Sequence, residues 1–500
     1  MRRSSAVAAE AMAATSHPLA TRAALRVLED GGNAVDAAVT AAAVLCVVEP
    51  MSTGIGGDLF AIVWDDDAPH GLNASGRSPA GIDPGSLTEI PISGPRSVTV
   101  PGAVSGWAAL LQRFGSIGLD RCLAPAIDAA ERGFAVTPVI AGAWEVLARA
   151  LTDPEARRVF GRAPRVGDVV QLPDLARSLR LLASDGPGAL YDGPLGEAIC
   201  GASWLERSDL AAHAPEWVEP LRLRHRGAEV LELPPNGQGA VALQAMALVE
   251  PLTPRDLADR VHLQAEALKL AFADGYGQIS DRPLPDGFLD AAYVAERRAL
   301  IDRDAARSPG AGALPRGGTV YLCCVDGERR GCSLIQSVYY GFGSGVVAPG
   351  TGIALQNRGG SFTLEPGHPN RFAPGTRPFH TIIPGLLVRD GALLGPFGVM
   401  GGHFQPQGHL QVVEQLLAEG ADPQAALDAP RFRLDLEAGA WTLALEPPLW
   451  PLEGELVRRG HRVLRDPDLG GFGGGQAILV NGASLIGGSE PRKDGYAAGI

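Results

Sequence analysis

The stretch that decides the reading runs from residue 308 to residue 344, SPGAGALPRGGTVYLCCVDGERRGCSLIQSVYYGFGS. Its first part is a loose run of Ser, Pro, Gly and Ala without periodicity, which predicts a mobile loop over 303–318. After Gly317-Gly318 the composition turns β-branched, aromatic and apolar: TVYLCCVD, the turn GERRG and CSLIQSVYYGF predict a hairpin entering the core. Thr319 therefore stands at the junction of a free loop and a strand. In one reading it is a β-branched residue opening a strand, a common event. In the other, the Gly318–Thr319 bond is cut. Thr319 then carries an α-amine, with a reference pKa of about 7.7–8.0, beside its own hydroxyl. An amine in that range can take the hydroxyl proton near neutral pH and make a weak nucleophile a competent one.

Outward from this point the chain is rich in recognisable elements. Residues 18–30 place Leu19, Ala23, Val27 and Leu28 on one helical stripe, and Gly31-Gly32 ends it. Asn33 is an N-cap with Asp36 three residues on, an acidic capping box, and the helix it opens is apolar all round and so expected to be buried. A long helix is expected over about 256–273, and another in DAAYVAERRALID. FHTIIPGLLVRDGALLGPFGVMGG reads as two strands about the turn Asp390-Gly391, with Gly401-Gly402 at a strand-to-helix junction before QPQGHLQVVEQLLAEG. Strands flanked by helices point to a layered α+β fold.

The 500 residues carry a net charge of -13, which argues against nucleic acid as a partner. Hydrophobic residues make up 46%, enough for a large core. The six cysteines form no C-x-x-C pair and most sit in apolar surroundings, as expected of thiols in a reducing compartment; the expectation is a cytoplasmic protein without membrane segments. GIGGD at 54–58 lacks the Lys-Ser/Thr of a phosphate loop and precedes a strand, so it reads as a structural turn. His380, His403 and His409 have no metal-ligand spacing, and no metal is expected.

Several blocks together resemble the γ-glutamyltranspeptidase family: HPLATRAALRVLEDGGNAVDAAVTAAAVLCVVEPMSTGIGGDLF, VTVPGAVSGW, VHLQAEALKLAFADGYGQISD, TVYLCCVD, GFGSGVVAPGTGIALQNRGGSF, RPFHTIIPGLL and DAPRF, in order along nearly the whole chain. The resemblance implies a four-layer αββα N-terminal nucleophile hydrolase made as a precursor. Residues 1–318 would be a large subunit and 319–500 a small one, intertwined in one unit after self-cleavage between Gly318 and Thr319. It implies Thr319 as nucleophile and Ser337 where the family has a second Thr. It also implies Gly401 and Gly402 as the oxyanion hole, and Arg77 as the arginine that holds the substrate carboxylate. No cofactor is implied. The partners would be a small-molecule amide with a carboxylate and the other half of the cleaved chain, with a homodimer of heterodimers left open.

The departures bear on the substrate. Tyr339 replaces the family's Asn, Arg358 and Ser361 replace the Gln and Asp that grip an α-ammonium, and His380-Thr381 replace a Ser-Ser pair. A cation facing an ammonium is unfavourable. The chain therefore looks more like the transpeptidase-like acylases and amidohydrolases of dicarboxylate monoamides, such as glutaryl-cephalosporin acylases and oxamate amidohydrolase, than like a γ-glutamyl transferase. The alternatives are a true γ-glutamyl transferase or glutathione hydrolase, and a non-catalytic ligand-binding homologue.

Overall fold

The computed structural model describes residues 3–309, 318–437 and 439–500. Of the expected loop 303–318, residues 310–317 lie outside that range; residues 303–309 have irregular backbone.

Two seven-stranded sheets organise the chain. In spatial order the first holds Tyr496–Gly499, Met12–Thr15, Gly318–Val325, Gly331–Tyr339, Asp58–Asp65, Ala68–Ala74 and Glu216–Val218. The second holds Ala6–Ala8, Ser484–Ser489, Gly474–Asn481, Ala392–Met400, Gly385–Arg389, Ala228–Glu232 and Leu221–His225. Every pairing within these two sheets is antiparallel. Both sheets mix strands from before and after residue 318, so neither part of the chain could complete a sheet alone.

Side-chain alternation explains how the sheets are covered. In TVYLCCV, Val320, Leu322 and Cys324 join one apolar cluster, while Tyr321, Cys323 and Val325 join another. The strand reads as continuously apolar because both of its faces are buried. The first cluster fills the space between this sheet and the helices Pro18–Glu29, Ala34–Val48, Ala103–Phe114 and Leu119–Arg132. The middle cluster joins the two sheets, with Phe60, Ile62 and Tyr321 from one meeting Leu386, Val388 and Ile478 from the other. The third packs Leu387, Val399 and Ala477 against the helices Gly239–Val249, Leu257–Gln278 and Gln405–Leu417. Leu387 lies between Leu386 and Val388 and faces the opposite way, as a two-residue period requires.

Local signals are met where the backbone itself carries them. Asn33 and Asp36 form the reciprocal capping box, and every residue of Ala34–Val48 is buried. The turn joining Gly385–Arg389 to Ala392–Met400 has Asp390 at φ 52° and Gly391 at φ 79°, the left-handed pair of a tight hairpin. All six cysteines are free; Cys200 is half-buried and the others are buried. Among the described residues, no helix is long and apolar enough to cross a membrane.

Candidate active site

The hairpin ladder is irregular where it begins. Gly318 pairs with Tyr339 and Val320 with Gln336, so Thr319 sits at a break in register. Such breaks re-aim a side chain. Thr319 is 4% exposed, and its Oγ1 donates to Ser337 Oγ at 3.3 Å. Ser337 Oγ also accepts the Tyr339 N–H at 2.8 Å and Arg358 Nη2 at 3.4 Å. A hydroxyl oxygen has two lone pairs, so the two longer contacts compete and the short one anchors the serine. That short contact is available because Tyr339 adopts φ +79°, a left-handed conformation that strains a bulky residue and is characteristic of functional sites.

Arg358 opens the short turn Arg358–Ser361 and is fully buried. Its Nη1 donates to Thr381 Oγ1 at 2.8 Å, and its guanidinium carbon lies 4.0 Å from the centre of the Tyr339 ring. Its Nε–H has no hydrogen-bond partner, and among the described residues no carboxylate is in ion-pair contact with it. Burial pulls its pKa down to about 10, which leaves it a cation at neutral pH. The Asp58 carboxylate favours its charged form through space, without a direct ion pair, and so acts as a partial counter-charge for this buried cation.

Arg77 lies in a cluster of acids and arginines. Its Nη1 is 2.5 Å from Asp281 and its Nη2 3.2 Å from Glu216, acids that also flank the buried Arg377. Among the described residues no hydrogen bond joins the Arg77 guanidinium to the Thr319–Ser337–Arg358 group, and the side chain is half exposed to solvent. Ser361 turns a hydroxyl without a hydrogen-bond partner inward, and its carbonyl accepts Asn370 Nδ2 at 2.6 Å.

His380 and Thr381 divide their labour. Thr381 faces Arg358, whereas His380 turns inward to Asp58, with 3.1 Å between Nε2 and Oδ2. The Ile382 N–H donates to His380 Nδ1, so Nε2 carries the proton and donates to the acid. Burial holds His380 neutral and pushes Asp58 up to about 6. Asp58 also accepts the Gly76 N–H at 3.0 Å and Gln356 Nε2 at 2.9 Å, and it pairs in register with Ser337. One acid thus ties together the loops carrying Arg77, Arg358 and Thr381 and the strand carrying Ser337. Sequence reading placed Asp58 only in a structural turn, because its partners are distant in the chain.

Gly401 and Gly402 follow the last ladder pair, Met400 with Gly474, and precede the helix Gln405–Leu417. Their φ values are +137° and +61°, so the turn is built for glycine. Gln238 Nε2 donates to the Thr381 carbonyl at 2.6 Å and to the Gly402 carbonyl at 2.9 Å, locking this turn to the Arg358 side of the site. Gln238 also escaped the sequence reading; its only local signal is the turn NGQG before a helix. His403 is hydrogen bonded to Tyr276 and stacked on Phe379, and burial pulls its pKa down to about 3. His409 is held by Glu232 and by the Val399 N–H. A cavity of about 700 Å³ opens beside Gly401 and His403, and another of about 830 Å³ beside Tyr340 and Asn357; Leu147 lines both.

The structure thus sets a strand-borne hydroxyl pair and a buried arginine on one side of the site, tied through Gln238 to a glycine turn. In comparison with known proteins, the γ-glutamyltranspeptidase family model matches residues 20–500, and the chain is an enzyme belonging to that family. It is 37% identical to the oxamate amidohydrolase proenzyme of Klebsiella pneumoniae over 99% of both chains. It is 33% identical to the glutathione hydrolase-like YwrD proenzyme of Bacillus subtilis, again over 99% of each. The solved structure of cephalosporin acylase from Bacillus halodurans superposes with a TM-score of 0.94 at 43% identity, covering 100% of this chain and 97% of that one.

Proposed function

We propose that the chain is a self-processing amide hydrolase or acyltransferase whose acyl group ends in a carboxylate and carries no α-ammonium, a glutaryl- or oxamate-like monoamide. The observation that carries this is Arg358: a buried cation that no carboxylate among the described residues contacts directly, although Asp58 acts on it through space, and one hydroxyl away from Thr319. A γ-glutamyl group would bring an ammonium to the same place and need an acid to receive it. The buried acid that acts on Arg358, Asp58, is engaged by His380, Gln356 and Gly76.

In the precursor, Thr319 Oγ attacks the Gly318 carbonyl carbon, the C–N bond breaks, and the hydroxyl proton ends on the departing amine. Water then hydrolyses the ester, freeing a Gly318 carboxylate and the Thr319 hydroxyl. Residues 1–318 and 319–500 stay together because each sheet draws on both. The order of the three apolar clusters supports the four-layer αββα arrangement. In turnover the Thr319 α-amine takes the proton of its own hydroxyl, Ser337 holds that hydroxyl, and the N–H groups of Gly401 and Gly402 meet the developing oxyanion. Arg358, backed by Thr381 and Tyr339, holds the distal carboxylate. The acyl-Thr319 ester is released to water or to an amine. Buried free thiols fit a cytoplasmic setting.

The test has two parts. Intact mass and N-terminal sequencing should show two chains, the smaller starting Thr-Val-Tyr-Leu; a single uncleaved chain after long incubation at neutral pH would refute processing. Glutaryl-p-nitroanilide should then have a higher kcat/KM than γ-glutamyl-p-nitroanilide, and the reverse order would refute the substrate assignment.

A further inference from the structure

The helix Leu257–Gln278 carries a buried polar stripe at Asp259, His262, Glu266 and Lys269, spaced three, four and three residues apart on one face. Nothing in the catalytic group uses it. Each member instead holds the segment 302–309, which precedes the proposed cleavage point in the chain. His262 Nε2 lies 2.8 Å from the Asp302 carbonyl, the Arg307 N–H donates to Glu266 at 2.8 Å, and Lys269 Nζ donates to the Arg307 carbonyl at 2.6 Å. Asp259 accepts Arg303 Nη2 at 2.8 Å. The Ala306 N–H donates to the Arg459 carbonyl at 2.6 Å, and Trp441 Nε1 donates to the Pro309 carbonyl at 3.3 Å. A half-buried segment without regular structure needs partners for its backbone groups, and this helix face supplies several in series.

His262, Glu266 and His461 also bring one ligand atom each within 4.8 Å of one another, a spacing that suits a metal ion. Lys269 lies in ion-pair contact with Glu266, and His262 Nδ1 is 2.8 Å from His461 Nε2. A fixed cation on the carboxylate and a hydrogen bond between the rings complete the group without a metal.

We propose that this stripe, together with Trp441, is a clamp that anchors residues 302–309, the stretch of chain upstream of the 318–319 bond, so that Glu266, Lys269 and Trp441 act as positioning residues for self-cleavage. The proposal rests on the self-cleavage reading above. Misplacing a scissile carbonyl by a small distance is worth orders of magnitude in rate, whereas a stripe that only stabilises the fold would leave the cleavage rate of folded precursor unchanged.

The experiment follows conversion of freshly synthesised full-length precursor into two chains by denaturing gel, for wild type, Lys269→Met and Trp441→Phe, with melting temperature measured alongside. Lys269→Met keeps the apolar stem and removes the donor; it should slow cleavage about tenfold or more. Trp441→Phe keeps the buried ring and loses one hydrogen bond; it should slow cleavage about threefold, and it decides the matter if Lys269→Met does not fold. The cleaved fraction of each variant should retain kcat/KM within about twofold of wild type. Wild-type cleavage rates in both variants, with only a lowered melting temperature, would overturn the clamp. So would an equal loss of cleavage and of kcat/KM in the cleaved fraction. A wild-type precursor that never cleaves would instead overturn the self-cleavage reading.

Discussion

Replacing Arg358 by Met tests the substrate assignment at its physical root. The guanidinium is buried, held by Thr381 at 2.8 Å and set over the Tyr339 ring at 4.0 Å, so a substrate carboxylate meeting it would be shielded from water. Two unit charges 4 Å apart attract by about 4 kcal/mol at an effective dielectric of about 20. Truncating one member of such a pair costs about 2–5 kcal/mol, much of it from stranding the other charge. Taking about 3 kcal/mol, kcat/KM for glutaryl-p-nitroanilide should fall about 150-fold. Butyryl-p-nitroanilide, which lacks the carboxylate, should lose less than about fivefold. The γ-glutamyl compound should lose less than the glutaryl one, because the substitution also removes a repulsion on its ammonium. A second readout is the acid limb of the pH profile. The Thr319 amine must be neutral to act as base, and a nearby cation disfavours its protonated form. The limb should therefore lie below the reference of about 7.7–8.0 in the wild type and move up in Arg358→Met. Equal losses on the glutaryl and butyryl anilides would show that Arg358 only supports the fold of the site, and no loss on either would place it outside.

Three further outcomes are expected. Thr319→Ala should abolish both processing and turnover, while Ser337→Ala, which removes a supporting hydrogen bond worth about 1–3 kcal/mol, should leave measurable activity; gel analysis and anilide assays separate the two. Gly401→Ala should lower kcat at least about 100-fold with little change in KM, because φ is +137° and a Cβ there would stand 3.1 Å from the Gly473 Cα, displacing an oxyanion donor; an active Gly401→Ala enzyme would remove that turn from the mechanism. Asp58 has a folded pKa raised from 3.8 to about 6 by burial, so the folded state binds the extra proton and this acid's contribution to stability declines as pH rises from about 4 to 6. The melting-temperature difference between the Thr319→Ala precursor and its Asp58→Asn counterpart should shrink with that sign across the window, and a difference independent of pH would contradict it.

What the sequence determined by itself was everything carried by neighbours in the chain. Alternation through TVYLCCV placed a strand covered on both faces, Asn33 and Asp36 marked a helix start, and Asp390-Gly391 marked a hairpin; each signal needs only residues a few positions apart. The order of family blocks likewise identified the family. The charges of the site were settled only in three dimensions. Arg77 and Arg358 are both arginines in glycine-rich loops, and nothing local says that one is paired directly with Glu216 and Asp281 while the other is buried against Tyr339 with Asp58 acting on it only through space. Asp58 read as part of a turn until Gln356 and His380, 298 and 322 residues away, were brought to its carboxylate. A buried charge is defined by what surrounds it, and those surroundings are assembled from chain segments that only the packing of the two sheets brings within a few ångströms.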